Sequence, residues 1–326
     1  MAAFRFRLPR HRSLVARVVV LGAAGFLGSH LCDVLVNRGE EVVGIDDLSS
    51  STGANLTHLE NKSNFTFLRG DITEGLPVRG RVDAVMNFAS PASPPRYLKM
   101  PVKTLKTGSL GTELSLRFSL ENDARYILAS TSEVYGDPRI SPQPETYWGH
   151  VNPIGERSCY DEAKRYAEAL CMAHVREFSA NVGIVRIFNT YGPRLDRTDG
   201  RVVSNFVCQA LENRNLTIYG DGSQTRSFCY VDDEVRGIIA LLDSHETGPI
   251  NIGNPIEFTM HQLAELVISL TGSHSSITYC PLPADDPTQR RPDITLARTL
   301  LGWEPTVDLE EGLRRTIDWF RSTARS

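Results

Sequence analysis

No stretch of this sequence approaches the roughly 20 consecutive apolar residues that cross a bilayer, which leaves no candidate for a membrane-spanning helix. No pair of cysteines has zinc spacing or forms a C-x-x-C motif. Cys32, Cys159, Cys171, Cys208, Cys229 and Cys280 therefore read as scattered reduced thiols in a cytoplasmic protein without a bound metal. A strong charge of either sign is also missing. At a net charge of −4 the chain has no electrostatic reason to seek nucleic acid, and any anion site must be a local cluster. The one basic run is Arg5, Arg7, Arg10 and Arg12. It lacks the apolar core of a signal peptide, because the first apolar run starts at Val18 and belongs to a glycine motif. Residues 1–16 read as a disordered basic tail, and neither internal repeats nor low-complexity segments follow.

What is present is the texture of a soluble enzyme, with 41% hydrophobic and 23% charged residues. A chain of 326 residues favours one large α/β domain with a smaller lobe. Short β-rich runs alternate with helical patterns. Strands are expected at Arg17–Leu21, Glu41–Ile45, Phe65–Arg69, Val82–Phe88, Arg125–Ala129 and Val182–Phe188. Helices are expected at Phe26–Asn37, Val102–Leu120, Cys159–Phe178, Val202–Glu212, Met260–Leu270 and Leu309–Phe320. Asn189–Asp199 reads as turn-rich and Pro281–Pro292 as a polar, proline-rich loop. This order implies a doubly wound parallel sheet of the Rossmann type. Residues 17–190 and 226–255 would form the dinucleotide-binding domain. Residues 191–225 and 256–326 would form a smaller C-terminal substrate lobe, with sheet elements returning near Tyr230 to Ile252.

Val18 to Gly28 reads strand, glycine turn, helix. Gly22 permits the tight turn, Gly25 lets backbone approach a pyrophosphate at the helix N-terminus, and Gly28 lets helix and strand pack closely. Asp46 ends the second strand, where a carboxylate accepts hydrogen bonds from an adenosine ribose and repels a 2′-phosphate, favouring NAD over NADP. Tyr160 and Lys164 share one helix face. A tyrosine of pKa about 10 is a poor base at neutral pH, and a nearby ammonium favours its phenolate. The strand-end string Ser130-Thr131-Ser132-Glu133 supplies further polar groups.

The glycine motif, Asp46 and the Tyr160/Lys164 pair resemble the extended short-chain dehydrogenase/reductase superfamily. Longer strings resemble one of its members, the UDP-glucuronate decarboxylases or UDP-xylose synthases. They are Pro91-Ala92-Ser93-Pro94, Ser130 to Pro138, Tyr147 to Gly155, Arg186 to Arg194, Asp199 to Phe206, Gln224 to Phe228 and Arg290 to Ile294. The match runs from about Val18 to the C-terminus. It departs at Gly108, where the family usually has Asn, at Glu113-Leu114, and at Asn87-Phe88-Ala89.

The resemblance implies a reaction that borrows NAD. A sugar carboxylate cannot simply lose CO2, because the carbanion has nowhere to delocalise. A ketone at C4 makes a β-keto acid, whose decarboxylation yields an enolate. Protonation and return of the electrons then give the pentose with no net redox. By this resemblance Tyr160 takes the C4 hydroxyl proton while Lys164 tunes it and holds the nicotinamide ribose. Thr131 bonds O4, and Ser132 and Glu133 face the carbon that loses CO2. The cofactor contacts would be Gly22, Gly25, Phe26, Leu27, Gly28, Asp46, Asp47, Asp71, Ile72, Ser90, Thr107, Tyr160, Lys164, Thr190 and Arg201. The nucleotide sugar would meet Tyr97, Lys106, Glu133, Asn189, Asn205, Tyr219, Arg226 at the diphosphate, and Arg290 at the diphosphate or the carboxylate. Pairing of Val102–Leu120 and Cys159–Phe178 between subunits would give a homodimer. A dTDP-glucose 4,6-dehydratase is the nearest competing reading, but it needs an acid where Ser132 stands. A 4-epimerase needs no strand-end glutamate, and a catalytically dead NAD-binding scaffold would not need Tyr160, Lys164 and Thr131.

Overall fold

The computed structural model describes residues 16–281 and 289–323. The basic residues Arg5 to Arg12 and most of the loop after Pro281 lie outside the described residues.

The Val-rich run Arg17–Leu21 forms β1, buried in the middle of a sheet. It is followed by α1 (Phe26–Asn37), β2 (Glu41–Asp46), β3 (Phe65–Arg69), β4 (Ala84–Asn87), α2 (Pro94–Lys99), α3 (Pro101–Lys106), α4 (Thr112–Glu121), β5 (Arg125–Thr131), α5 (Ser158–Phe178), β6 (Val182–Ile187) and β7 (Thr190–Tyr191). Then come α6 (Val202–Leu211), β8 (Leu216–Tyr219), β9 (Thr225–Ser227), β10 (Cys229–Tyr230), α7 (Val231–Asp243), β11 (Ile250–Ile252), β12 (Glu257–Thr259), α8 (Met260–Thr271), β13 (Ile277–Cys280), β14 (Gln289–Arg290), α9 (Thr295–Leu301) and α10 (Leu309–Thr323). Among the described residues the main sheet has seven parallel strands in the order β11-β6-β5-β4-β1-β2-β3. Alternation along the strands sends Val18, Val20, Val42 and Met86 into one apolar core and Val19, Leu21, Val43 and Val85 into the other. Leu31 and Leu35 of α1 cover the first face, and Leu116 of α4 with Ala167 and Cys171 of α5 cover the second. Both faces are therefore closed by helices, as a parallel sheet requires.

The strand order reverses between β1 and β4, which opens a crevice at their carboxyl ends. Smaller sheets follow, including β12-β9-β14. In that sheet β14 lies parallel to β9 with Arg290 opposite Arg226. This short strand sits inside what reads from sequence as an irregular proline-rich loop, and it fixes where Arg290 points.

One local difference from the sequence reading has a steric cause. The helix expected over Val102–Leu120 is interrupted by a π-helical turn at Thr107–Gly111. There a Cβ on Gly108 would lie 2.6 Å from Ala163 Cβ, and one on Gly111 would lie 2.6 Å from Ile72 Cδ1. Gly108 lets this turn press against α5 one residue from Lys164, and Gly111 lets it press against Ile72. Sheet elements do return near Tyr230 to Ile252, as β10 and β11, with the amphipathic helix α7 between them. The side chain of Asp233 pins that helix by accepting from the N–H groups of Thr306 and Val307, both at 2.8 Å.

Gly108→Asn, which installs the residue usual in the resembling family, should force α3 off α5 and destabilise the chain by about 1–3 kcal/mol. Thermal denaturation of the two proteins checks this; an unchanged midpoint would show that the turn has room to spare.

Candidate active site

The crevice at the ends of β1, β2 and β4 is a groove of about 490 Å³ of empty space. Gly22, Gly25, Asp46, Asp47, Asp71, Ile72, Ser90 and Thr107 all line it. Gly22 has a φ of +77°, and a Cβ there would meet the Phe88 backbone at 2.7 Å. A Cβ on Gly28 would sit 2.0 Å from Gly22 O, so the turn and helix close only with glycine. Gly25 is the N-cap of α1 and offers no side-chain hydrogen bond. Phe26 and Leu27 start the helix, whose first N–H groups lack intrahelical acceptors and can serve an anion, although neither residue lines the groove itself. Asp46 is fixed by accepting from Ala24 N at 3.0 Å and Leu48 N at 2.8 Å, and its remaining lone pairs are those a ribose hydroxyl would use. These residues fit a dinucleotide.

Tyr160 and Lys164, on α5, sit against the end of β5. Tyr160 is buried, stacked on Tyr97 with ring centroids 5.1 Å apart, and hydrogen-bonded to Thr131. Burial pushes the Tyr160 phenol up to about 12, and the Glu133 and Asp161 carboxyls add to that. The Thr131 hydrogen bond and the Arg201 guanidinium pull the other way. Lys164 Nζ donates to Ala129 O at 2.7 Å and lies 5.9 Å from the Tyr160 ring centroid. Burial brings Lys164 down to about 8, which still leaves an ammonium at neutral pH.

Glu133 follows Thr131 on a short 3-10 turn, Ser132–Tyr135. Its carboxylate is clamped by two arginines: Arg157 Nη2 donates at 2.8 Å, and Arg290 Nη1 pairs with the other oxygen. Burial alone would raise the Glu133 carboxyl, but the guanidiniums of Arg290 and Arg157 hold it well below the usual carboxylate range. Arg290 is 3% exposed and also donates to Ser132 Oγ at 3.4 Å and Gly136 O at 3.2 Å. Its Nε is buried with no partner among the described residues. Ser132, Glu133, Tyr97, Tyr160 and Arg290 are thus brought together.

Other expected residues have protein partners of their own or lie exposed. Thr190 is buried, its hydroxyl 2.8 Å from Phe188 O and 3.1 Å from the Glu234 carboxylate. Arg201 pairs with Asp199. Asn189 O accepts from Cys229 N at 2.9 Å, and Asn205 Nδ2 donates to Gly200 O at 3.0 Å. Arg226 donates to Thr225 O at 2.9 Å. Lys106 and Tyr219 are exposed.

Three site residues escaped the sequence reading. Lys103 bridges Asp47 and Asp71 across the groove, whereas Lys106 of the same helix was singled out. Arg157 and Asp161 lie one helical turn apart, flanking Tyr160, a spacing that puts them on one face of α5. An i, i+4 Arg/Asp pair beside the tyrosine was the available signal.

Comparison with known proteins follows this geometry. The family model described as "NAD dependent epimerase/dehydratase family" matches residues 18–253. A UDP-glucuronic acid decarboxylase 1 from Danio rerio is 50% identical over 304 residues, covering 93% of this chain and 72% of the relative. A UDP-glucuronic acid decarboxylase 1 from Arabidopsis thaliana is 51% identical, covering 94% and 70%. Among solved structures, a UDP-glucuronic acid 4-epimerase from Bacillus cereus, in complex with UDP-glucuronic acid and NAD, has a TM-score of 0.83 at 30% identity. It covers 94% of this chain and 99% of its own. A Thermotoga maritima UDP-glucose 4-epimerase with UDP-glucose has a TM-score of 0.88 at 32% identity, covering 94% and 99%.

Asp46 leads to a cofactor prediction. The protein should bind NAD at least about 10-fold more tightly than NADP, because a 2′-phosphate would meet a fixed carboxylate. Asp46→Asn should narrow that gap. Titration calorimetry with both dinucleotides measures it, and equal affinities in the unaltered protein would sink the assignment.

Proposed function

The chain belongs to the NAD dependent epimerase/dehydratase family, and within it we propose that this enzyme decarboxylates UDP-glucuronate to UDP-xylose through a 4-keto sugar. The observation that carries the reading is the pair of guanidiniums, Arg157 and Arg290, around Glu133 and Ser132 beside Tyr160. A sugar whose C4 hydroxyl reaches Tyr160 has its C5 carboxylate one carbon away. Buried cations at that place suit a carboxylate, and Arg290 Nε is the donor left to meet it. Identity of about half with relatives named for this reaction supports the same conclusion.

What NAD supplies there, when bound, is a reversible two-electron sink at C4. The glycine turn, the α1 N-terminus and Asp46 hold the dinucleotide, with Asp71, Ile72, Ser90 and Thr107 along the groove. Tyr160 takes the C4 hydroxyl proton and later returns it, with Thr131 sharing the hydrogen bond to O4. The buried Lys164 ammonium stands behind the tyrosine and favours its ionised form. Arg290 holds the substrate carboxylate rather than the diphosphate, since it is locked to Glu133 at the sugar end. Arg226, in register beside it, is the diphosphate residue, and Tyr97 packs on the sugar. Residues 17–190 with 226–255 carry the cofactor, and 191–225 with 256–326 carry the nucleotide sugar.

A homodimer and a cytoplasmic location belong to the same reading. Leu98, Val102, Leu105 and Leu110 on the α2–α4 stretch, with Tyr166 and Phe178 on α5, are exposed apolar side chains that a second subunit would cover. The cysteines are free, as in a reducing compartment, and no helix among the described residues is long and apolar enough to cross a membrane. Light scattering should give twice the 36.2 kDa chain mass. A 36.2 kDa particle at micromolar protein would count against the dimer.

The reaction itself is checked by mass spectrometry of products from UDP-glucuronate. Loss of CO2 with a UDP-pentose product is expected, whereas a product of unchanged mass would mark a 4-epimerase. Tyr160→Phe should abolish both ketone formation and CO2 release. Glu133→Gln leaves two guanidiniums without their carboxylate and should slow turnover by about 10²-fold or more. Wild-type turnover by Glu133→Gln would remove Glu133 from the site. Ser132→Asp should not improve decarboxylation, since a carboxylate there would repel that of the substrate.

A further inference from the structure

We propose that Asp161, the residue after Tyr160, holds the proton that replaces CO2 on the sugar. This inference rests on the decarboxylation reading. Loss of CO2 from the 4-keto sugar breaks the C5–C6 bond and leaves its electron pair in an enolate. A new C5–H bond then needs one proton, so each turnover converts a carboxylate and a proton into CO2 and a C–H group. Tyr160 cannot supply that proton, because the one it takes from the C4 hydroxyl is needed again when the ketone is reduced.

Glu133 is badly suited to the task. Two guanidiniums clamp it as a carboxylate, and an acid that is always ionised has no proton to give. Asp161 is its opposite. It is 6% exposed, it stands one turn from Arg157 on the α5 face that meets the Ser132–Tyr135 turn, and its Oδ1 is buried with no partner among the described residues. Arg165, on the next turn of that face, is occupied with Val134 O at 3.0 Å and Trp148 O at 2.9 Å. The Tyr97 hydroxyl, from α2, is likewise buried and without a partner among the described residues, and Tyr97 is 1% exposed. Two orphaned polar atoms in one polar recess each cost about 1–3 kcal/mol unless a group from outside the chain completes them.

The charges facing Asp161 come from several elements: Glu133 from the turn after β5, Arg290 from β14, Arg157, Glu162 and Tyr160 from α5, and Tyr97 from α2. Burial is the main effect, the Glu133 carboxylate adds to it, and together they outweigh Arg157 and Arg290, so the Asp161 carboxyl is raised well above the usual range. The charge count agrees. With Glu162 paired to Arg165, Arg157 and Arg290 balance Glu133 and the incoming substrate carboxylate only if Asp161 is neutral. Asp161 therefore carries a proton when the substrate is bound, releases it toward C5 as the enolate forms, and regains one from solvent before the next turnover. The transfer runs through Tyr97 Oη: the Tyr97 hydroxyl gives its proton to C5 as its oxygen takes the one from Asp161, so Asp161 is the reservoir behind the reacting carbon and does not itself touch the sugar.

Asp161→Asn keeps the shape and cannot give up a proton. With this variant, UDP-glucuronate should form the ketone and lose CO2 in a single turnover at a rate near that of the unaltered enzyme. UDP-xylose should appear about 10²-fold more slowly. Quenching in deuterated acid should place deuterium at C5 of the trapped 4-keto pentose, because the enolate is still unprotonated; the unaltered enzyme should give hydrogen there. In the unaltered enzyme C5 protonation should slow as pH rises through the raised Asp161 pKa, and that limb should vanish in Asp161→Asn. Asp161→Glu should restore part of the rate. Wild-type pentose formation by Asp161→Asn would overturn the proposal, as would equal slowing of ketone and pentose formation without deuterium at C5, the signature of a structural role. If Asp161→Asn does not fold, the pH series of the unaltered enzyme decides: C5 protonation independent of pH from weakly acid to weakly alkaline solution overturns the inference. Failure of the unaltered enzyme to release CO2 would instead overturn the functional reading beneath it.

Discussion

The clamp of Glu133 between Arg157 and Arg290 is the interaction on which the site depends, because it ties together three segments that are far apart in sequence. Glu133 follows β5 of the main sheet, Arg157 caps α5, and Arg290 sits on β14 of a small separate sheet. Removing one member of a buried ion pair strands the others, so the three positions constrain one another. The clamp also sets the height of Tyr160 above the sheet edge, since Tyr160 N bonds Arg157 O at 3.0 Å.

The same clamp divides the acids of the site by function. Glu133 is held low by its guanidiniums, and Asp161, one helical turn from Arg157, is raised by burial and further by the charge of Glu133. Two carboxyls in one recess pushed in opposite directions form the usual basis for an acid and an electrostatic anchor. Tyr160 is raised to about 12 by burial in the same surroundings, while the Thr131 hydrogen bond and the Arg201 guanidinium draw it back. The site is thus poised as a proton-rich cluster around a carboxylate-binding pair.

Much of this was legible in the sequence, for reasons that can be named. β1 reads as a buried parallel strand because RVVVL is too short and too β-branched for a helix and is followed by glycines. The glycine turn and Asp46 were legible because phosphate and ribose recognition uses backbone geometry and one strand-end acid, both local in sequence. Tyr160 and Lys164 were legible for the same reason. The strand position of Arg290 was not, since β14 is two residues long and exists only by pairing with β9. The π-turn at Thr107–Gly111 was hidden because its cause, the close approach of Ala163, is tertiary. Asn87, a departure from the resembling family, donates to Tyr126 Oη at 2.8 Å and is buried under the sheet edge, where only the fold reveals its partner. Lys106 is a candidate through the resemblance alone, and only the fold shows that its helix neighbour Lys103 meets Asp47 and Asp71.

Charge balance also accounts for the serine at 132. Arg290 Nη1 reaches Ser132 Oγ at 3.4 Å while it is paired with Glu133. An acid at position 132 would share that guanidinium and add a third protein carboxyl to a recess holding Glu133 and Asp161. With the substrate carboxylate present, Arg157 and Arg290 would then face more negative charge than they can offset, and burial makes each excess charge expensive. A dehydratase has no substrate carboxylate and can place an acid there to expel a hydroxyl. A decarboxylase must leave the position uncharged, so the only carboxylate added to the Glu133 clamp is the one to be lost. The hydroxyl of Ser132 meets that condition, being able to donate to the departing carboxylate without contributing charge of its own.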